Sequence, residues 1–414
     1  MESPESPNMD QVLRDDANFI QNVSQFYNQE ALSDVAIKIG DQKFFAHKFV
    51  LAKSSDVFRA MLYEKCWTDE NKDGVELNET PECAAVFDKF LRYLYTAEVS
   101  ISTTTAVGIL CLSDKYNVES LKQLCQGYMV DNSRSPKVRN ALNWYSWAKA
   151  LHLPKLIEQC TKTIAWNVHE IITGPDWLNM DLEFICDMLS SSELVILNEH
   201  SLFEAIASWL LHESHVHNLR EHSQKLLPLV RFPQMLASQL YQLEQSDIAA
   251  RTESRDILQG LLSQAYRFRA LCPYQHELGC TFTDSYFQPR DYVNYTVDNV
   301  RMQNTLRFGI QVDVKMFRGP VPMENRDGDW KITYRKPNNN MWSLQLYGHD
   351  TAMVNNEARV QPTVLVYDEQ EKVIQVERAP LTVVTRGSCI NMQFTINEPE
   401  MTRHMAVLLK QVPL

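Results

Sequence analysis

Residues 32–62 contain the pattern that most restricts how this chain can fold. Apolar and polar residues alternate over residues 35–39, which is the period of a half-buried strand. Gly40 then starts a turn, and residues 43–48 return as a second strand, so the segment predicts a β-hairpin. Apolar residues at helical spacing follow directly: Val50, Leu51, Val57, Phe58, Met61 and Leu62. A hairpin that leads into an amphipathic helix is therefore expected in the first folded domain.

A stretch ahead of the hairpin, residues 11–30, has the periodicity of an amphipathic helix. Its apolar residues fall at spacings typical of one helix face: Val12, Phe19, Ile20, Val23, Phe26 and Tyr27. Residues 1–10 before it are rich in Ser, Pro and Glu and are predicted to be disordered. The apolar stripe packs either on its own domain or on a second copy of the chain. We favour the second copy, because a helix that precedes the first strand has little core of its own to cover.

The Ser-Asp-Val before the hairpin and the Ala-His-Lys-x-x-Leu-Ala after it resemble the start of a BTB/POZ domain. The resemblance continues through a predicted strand at 75–77 and helices at 86–101 and 107–129, and covers about residues 12–131. BTB domains are oligomerisation and docking modules, so the resemblance implies a homodimer. It also implies an interface pocket in which an Asp and a Lys lie together, either to bind a partner peptide or as a structural ion pair. The implied interface residues are Val12, Phe19, Ile20, Val23, Phe26, Asp34 and Lys48.

The same resemblance makes a cullin a candidate partner. Cullin-binding BTB domains carry a hydrophobic residue, any residue and Glu in the loop after the helix that ends near Leu62. This chain has Cys-Trp-Thr at 66–68 or, shifted by one, Trp-Thr-Asp at 67–69, so the Glu is missing in both registers. Trp67 is either an aromatic anchor, of the kind that dominates interface energies, or an exposed loop residue. The candidate contacts with a cullin such as cullin-3 are Cys66, Trp67, Asp69 and Tyr116.

Helical periodicity resumes after a turn-rich joint at 131–136 and continues to about Leu271. Within it, SSSELVILNEHSLFEAIASWL and LVRFPQM resemble a BACK domain, and Asn198 is placed to cap a helix. From Cys280 onward, short alternating runs separated by turn clusters predict a β-sandwich. The segments WKITYRK and MWSLQLYG resemble a TRAF/MATH-type sandwich. The order of the three domains resembles the BTB/POZ domain-containing protein 17 family.

The predicted architecture is therefore multidomain. It consists of a disordered N-terminus at 1–10, an α+β BTB/POZ domain at 11–131, an all-α BACK domain at 132–271 and an all-β, TRAF/MATH-like sandwich at 272–414. Four aromatic residues of the sandwich either line a groove for a partner or, as is usual for aromatic residues in strands, lie in its core: Trp330, Tyr334, Trp342 and Tyr347.

Composition restricts partners and location. The formal net charge of -12 argues against nucleic acid, because phosphate binding needs a basic face. The nine cysteines form no C-x-x-C pair and mostly lie in apolar helical patterns, which favours a reducing compartment. There is no apolar run of about 18 residues and no leader-like N-terminus, so we expect no membrane association and a cytoplasmic protein. Vertebrate members of the resembling family begin with secretion signals, and this sequence departs from them there.

No sequence motif indicates catalysis. Phosphate-binding glycine loops, nucleophile elbows and H-E-x-x-H are all missing, so we expect neither an enzyme nor a cofactor. A histidine cluster at a helix end lies beside acidic residues, which favours solvent-exposed imidazoles over a transition-metal site: His212, His215, His217 and His222. The sequence thus predicts an adaptor that homodimerises through its BTB domain and recruits an unidentified protein through its C-terminal domain. Such an adaptor is either a substrate receptor of a cullin-type ubiquitin ligase or an oligomeric scaffold without a ligase role.

Overall fold

The computed structural model describes residues 15–63, 74–133, 138–293, 299–301, 310–337 and 340–412. The chain divides into two compact units. The first comprises Met1–Ser133 and Leu142–Glu158, and the second comprises Arg134–Ala141 and Gln159–Leu414. In the ranges that are described, no helix combines the length and the apolar character needed to cross a membrane.

The first unit begins with a helix and a three-stranded sheet. Helix α1 (Asp16–Ser24) precedes strands β1 (Val35–Ile39) and β2 (Gln42–Ala46), which pair antiparallel and confirm the predicted hairpin. Gly40 lies in the turn with a φ of 55°, a left-handed conformation that glycine adopts without steric cost. Strand β3 (Val75–Glu76) pairs in parallel with β1, so the sheet order is β2-β1-β3. Helix α1 ends before residue 30, the predicted end of the helix, because the chain turns after Ser24.

Further helices complete the described part of the BTB-like region. They are α2 (Lys48–Ser54), α3 (Asp56–Tyr63), α4 (Pro81–Ala84), α5 (Phe87–Thr96), α6 (Ala106–Lys115) and α7 (Glu119–Asn132). Helix α5 ends where Ala97 takes a left-handed φ of 56°, before the end of the predicted helix at 101. An aromatic cluster fills the core, in which the ring of Phe58 stacks on Tyr116 at 4.4 Å between centroids.

A helical region follows from residue 138 to residue 278. Its α-helices are α8 (Val138–Ala150), α9 (Pro154–Trp166), α10 (Val168–Thr173), α11 (Leu182–Ser190), α12 (Glu199–Leu210), α13 (Leu219–Leu226), α14 (Ala237–Glu244), α15 (Asp247–Ala250), α16 (Thr252–Leu271) and α17 (Gln275–Leu278). Strand β4 (Val195–Ile196) precedes α12. Asn198 caps α12, as predicted, because its Oδ1 accepts the N–H of Ser201 at 2.8 Å.

The C-terminal part is a sandwich of two antiparallel sheets. Strand β5 (Tyr292–Val293) precedes the sandwich and pairs with β4 instead of joining either sheet. The strands of the sandwich are β6 (Asn299–Arg301), β7 (Ile310–Met316), β8 (Gly328–Arg335), β9 (Met341–Gly348), β10 (Glu357–Tyr367), β11 (Val373–Arg378), β12 (Thr382–Thr385), β13 (Cys389–Thr395) and β14 (His404–Gln411). One sheet has the order β11-β10-β14-β6, with β12 also paired to β10, and the other has the order β13-β9-β8-β7. Side chains from both sheets meet in one core.

Strand β14 lacks the alternation of polar and apolar residues from which the sequence analysis predicts a sandwich, although it lies between β10 and β6 in its sheet. Its residues are buried on both faces. Met405, Val407 and Leu409 face the sandwich core, and Leu408 belongs to a separate cluster with Tyr292. A strand that is covered on both faces shows no alternation of polar and apolar residues, so the period-2 pattern does not identify it.

Within the second unit, the helical region and the sandwich share a buried polar interface. Strands β4 and β5 pair in parallel beside this interface. The guanidinium Nε of Arg290 donates to Oε1 of Glu199 at 2.7 Å, and both side chains are fully buried. The N–H of Val373 donates to the Oδ1 of Asn167 at 3.2 Å. Because these contacts join distant parts of the sequence, they hold the sandwich against the helices that precede it.

Candidate interaction surface

An open groove with a volume of about 1020 Å³ lies in the first unit. We call it the α1 groove. The apolar side of α1 forms one wall, and residues from α2, α5 and the segment before β1 contribute to the rest. Its lining includes Phe19, Ile20, Val23, Phe26, Leu32, Asp34, His47, Phe49, Val50 and Tyr95. Four of the residues predicted on the α1 stripe are therefore brought to one surface, while Val12 lies outside the described residues.

Large apolar side chains remain exposed in the α1 groove. The exposed fraction is 67% for Phe19, 78% for Leu32 and 73% for Phe49. Single exposed apolar residues are ordinary, but a contiguous apolar patch marks an interaction site on a folded protein. The α1 groove consequently has the character of a surface that another protein segment covers.

Helix α1 is nevertheless fixed to its own domain through the residues that follow it. The hydroxyl of Tyr27 donates to the carbonyl of Asp88 at 3.0 Å. The Oδ1 of Asn28 accepts the N–H of Phe45, on strand β2, at 2.9 Å. The domain therefore anchors the helix but leaves the rings of Phe19 and Phe26 accessible. That a second copy of the chain covers them stays a prediction.

Polar contacts order the floor of the α1 groove. The hydroxyl of Tyr95 accepts the backbone N–H of His47 at 2.9 Å and lies 2.9 Å from the Nδ1 of the same histidine. Burial raises the pKa of Tyr95 to about 12, so its hydroxyl stays protonated at neutral pH. The ring of Phe26 meets the imidazole of His47 edge-on at 5.8 Å. These contacts give the groove a defined shape without an occupant.

Asp34 and Lys48 are close together, but in a different way from either sequence-based interpretation. The Oδ1 of Asp34 accepts the backbone N–H of Lys48 at 2.7 Å. In the described residues their side chains form no ion pair. The carboxylate instead satisfies one of the backbone N–H groups that the first turn of α2 leaves unpaired. Asp34 lines the α1 groove and Lys48 does not.

The predicted cullin contacts are only partly described. Cys66, Trp67 and Asp69 lie outside the described residues. Tyr116 is 1% exposed, and its hydroxyl donates to the carboxylate of Glu79 at 2.5 Å. A partner cannot reach Tyr116, because the residue fills the domain core.

The four aromatic residues of the sandwich do not line a common groove. Trp330, Tyr334 and Trp342 are buried in the core between the two sheets. Only Tyr347 reaches the surface, where 36% of it is exposed. For three of the four residues the structure has the core position that the sequence analysis left open.

The histidine cluster packs around a tryptophan. The imidazole of His215 stacks on the indole of Trp209 with 3.7 Å between ring centroids, and the ring of His222 lies 5.2 Å from the same indole. The expectation of solvent-exposed imidazoles is wrong for these two residues, because both are half-buried. Burial, followed by the proximity of His215, lowers the pKa of His222. Among the described residues, no group of three or more His, Cys, Asp or Glu side chains could hold a metal ion.

Sequence reasoning missed several residues of the α1 groove. Leu32 precedes the first strand in a left-handed conformation with a φ of 66°, and Phe49 lies on the outer face of α2. Neither belongs to the apolar stripe of a helix. A signal for Phe49 is present in the sequence, since a large apolar residue falls out of phase with the buried Leu51 of the same helix.

Comparisons with known proteins identify two domains. The BTB/POZ domain profile matches residues 23–133, and the profile described as "BTB And C-terminal Kelch", or BACK, matches residues 141–245. Human BTB/POZ domain-containing protein 17 is 30% identical over 283 residues, which are 66% of this chain and 56% of the relative. Galectin-3-binding protein of Mesocricetus auratus is 24% identical over 324 residues (76% of this chain, 54% of the relative). Human Kelch-like protein 3 is 23% identical over 249 residues (60% of this chain, 41% of the relative). The aligned regions therefore span only 41–56% of the length of these relatives.

Proposed function

We propose that this chain, which contains a BTB/POZ domain and a BACK domain followed by an all-β region, is a non-catalytic protein–protein adaptor. In this proposal the BTB domain forms a homodimer through the α1 groove, and the C-terminal sandwich, which we take to be TRAF-like, recruits a second protein. The exposed apolar residues of the α1 groove are the observation that carries the proposal. Polar contacts order the floor of this surface, and its apolar side chains are exposed.

The apolar residues of the groove are sufficient to support association. Burying one large apolar side chain contributes roughly 1.5–3 kcal/mol. Phe19, Leu32 and Phe49 of one copy would therefore contribute roughly 5–9 kcal/mol, and the symmetric contacts of a two-fold dimer double this. Association costs about 4–15 kcal/mol of lost translational and rotational freedom. The gain from both copies, roughly 9–18 kcal/mol, therefore exceeds the cost of association over most of these ranges.

The adaptor proposal has two versions, which differ in whether the chain belongs to a ubiquitin ligase. The BTB–BACK order that the chain shares with Kelch-like protein 3 supports a substrate receptor for a cullin-type ubiquitin ligase, with cullin-3 as the candidate partner. The missing Glu at 66–69 supports an oligomeric scaffold without a ligase. Both versions place the chain in the cytoplasm, which is supported by the free thiols of all described cysteines.

Self-association is tested by measuring the molar mass of the full chain with light scattering. We expect a dimer for the natural chain and a monomer for Phe19→Asp/Leu32→Asp, because buried carboxylates at a dimer interface lose their hydration. Tyr241→Asp is the matched control, since Tyr241 is 63% exposed on α14 and lies outside the groove. Circular dichroism verifies that each variant is folded. A folded double variant that keeps the dimer mass would contradict the proposal.

The two versions are separated by calorimetric titration with the N-terminal domain of cullin-3. Binding below about 1 μM, which corresponds to about -8 kcal/mol, would support the ligase version. Loss of that binding in Trp67→Ala would assign the contact to the segment around Trp67. A natural chain that is dimeric and does not bind at tens of micromolar would leave the scaffold version.

A further inference from the structure

A second cavity, of about 550 Å³, lies in the second unit between the end of α16 and the loops at one end of the sandwich. We call it the arginine pocket, because Arg269, Arg318 and Arg359 all line it. Its volume falls within the range of about 300–1,000 Å³ that is usual for ligand pockets. None of the residues assigned to the α1 groove or to the candidate cullin contact takes part in it.

The walls of the arginine pocket are apolar and well supported. Val321 is 7% exposed and packs in a small cluster with Phe268 and Cys272 from the helical region. Ala352 and Ala358, from the sandwich, are also buried. Because packed side chains hold these walls, the pocket exists before a ligand arrives.

Arg318 is oriented by its own backbone surroundings. Its Nε donates to the carbonyl of Met353 at 2.7 Å, which fixes the plane of the guanidinium and leaves both Nη atoms for another acceptor. Gly319 follows with a φ of 80°, so the loop that carries Arg318 depends on a conformation that favours glycine. A planar guanidinium held in this way binds a carboxylate through two parallel hydrogen bonds.

Two arginines of the arginine pocket, Arg318 and Arg359, keep their charge uncompensated within the described part of the chain. The ion pairs of sandwich arginines involve Arg378, Arg386 and Arg403. Neither Arg318 nor Arg359 pairs with a described carboxylate. Arg318 and Arg359 against the single carboxylate of Glu357 give this part of the lining a formal charge of +1. This local excess stands out on a chain whose net charge is -12.

We propose that the arginine pocket binds an acidic peptide segment of the recruited partner. An Asp or Glu carboxylate of the peptide is held by Arg318 and Arg359, and an apolar neighbour packs on the wall formed by Val321 and Ala358. A free inorganic anion would use the guanidinium groups but not the apolar walls, which is why a peptide fits the pocket better. The inference rests on the proposed adaptor function, because it specifies the chemistry of the adaptor's partner.

Fluorescence anisotropy with the full chain tests this directly. The probe is a short labelled peptide of alternating Asp and Leu with an amidated C-terminus, and the matched peptide has Asn in place of Asp. We expect the Asp peptide to bind about tenfold tighter or more, since hydrogen bonds to charged groups are the stronger ones. Arg318→Gln/Arg359→Gln should abolish this preference. Arg267→Gln is the control, because Arg267 is exposed on α16 and does not line the pocket.

Several outcomes of the titration would overturn the proposal that the arginine pocket binds an acidic peptide. Equal binding of the Asp and Asn peptides, or unchanged binding by the folded double variant, overturns the proposal. Competition by inorganic phosphate as strong as that by unlabelled Asp peptide shows a simple anion site and also overturns it. Light scattering on the same samples separates the two proposals. A dimer that binds no peptide contradicts only the arginine pocket, whereas a monomer contradicts the proposed self-association.

Discussion

Replacing Arg290 with methionine is the most informative test of how the second unit is held together. The Nε of Arg290 bonds Glu199, and its Nη atoms donate to three backbone carbonyls. The accepting carbonyls belong to Leu189, Ser191 and Leu229. Methionine keeps much of the side-chain volume but supplies no donor. The carboxylate of Glu199 would then keep only the backbone N–H of Arg231, at 3.0 Å, inside a fully buried site.

The magnitude follows from the burial of the pair. Removing one partner of a buried ion pair costs about 3–5 kcal/mol, because the other charge stays uncompensated. The abandoned carbonyls add to this, each by about 1–3 kcal/mol if no water reaches it. Arg290→Met should therefore lower the free energy of unfolding of the second unit by at least about 3 kcal/mol. Glu199→Gln in the Arg290→Met background should recover a large share of the loss, because it removes the buried charge.

Urea unfolding followed by tryptophan fluorescence measures these differences. The two compact units call for a fit with separate transitions, since a chain of this size need not unfold in one step. Arg386→Met is the matched control, because the side chain of Arg386 is 78% exposed in its pair with Asp350 and such a pair contributes about 0–1 kcal/mol. The reasoning is refuted if Arg290→Met is no more destabilising than Arg386→Met, or if Glu199→Gln worsens it.

Three further perturbations test other parts of the fold. Ser55→Ala removes a buried hydroxyl that accepts an N–H at the start of α3, and should cost the first unit about 1–3 kcal/mol in urea unfolding. Gly108→Ala should lower the melting temperature because its Cβ would lie 2.5 Å from the carbonyl of Glu82, whereas Gly127→Ala meets nothing within 4 Å and should gain about 0.5–1 kcal/mol; shifts of the same sign would contradict this. Burial lowers the pKa of His222 in the folded state, so the unfolded state binds its proton more readily. Protonation of this histidine therefore lowers the free energy of unfolding as pH falls below about 6.5. His222→Gln should therefore flatten the decline in melting temperature between about pH 7.5 and 5, and an unchanged slope would contradict the assignment.

Local patterns in the sequence predicted local structure well. The alternation at 35–39 and the glycine after it gave the β1–β2 hairpin, and Asn198 was recognised as a helix cap from its residue type and position. Such features depend on a few neighbouring residues, so neighbours are enough to predict them. The apolar stripe on α1 belongs to the same class. It indicated which side of the helix would be apolar, and it left open whether the domain itself would cover that side.

Strand β14 and the aromatic residues of the sandwich are features that local sequence patterns do not predict. Burial on both faces gives β14 an uninterrupted apolar run, and only the packing of one sheet on the other explains it. For the same reason the sequence could not decide whether Trp330 lies in a groove or in the core. Fractional burial depends on the strands that happen to lie opposite, and these come from distant parts of the chain.

By itself, the sequence determined the order of the domains, the types of their secondary structure and the presence of an apolar face on α1. Tertiary structure alone decided that Leu32 and Phe49 join that face, that Glu199 pairs with Arg290 across 91 positions, and that Arg269, Arg318 and Arg359 line one cavity. The physical reason is the range of the interactions. Periodicity and capping act between residues a few positions apart, whereas ion pairs and pockets join side chains that only the folded chain brings together.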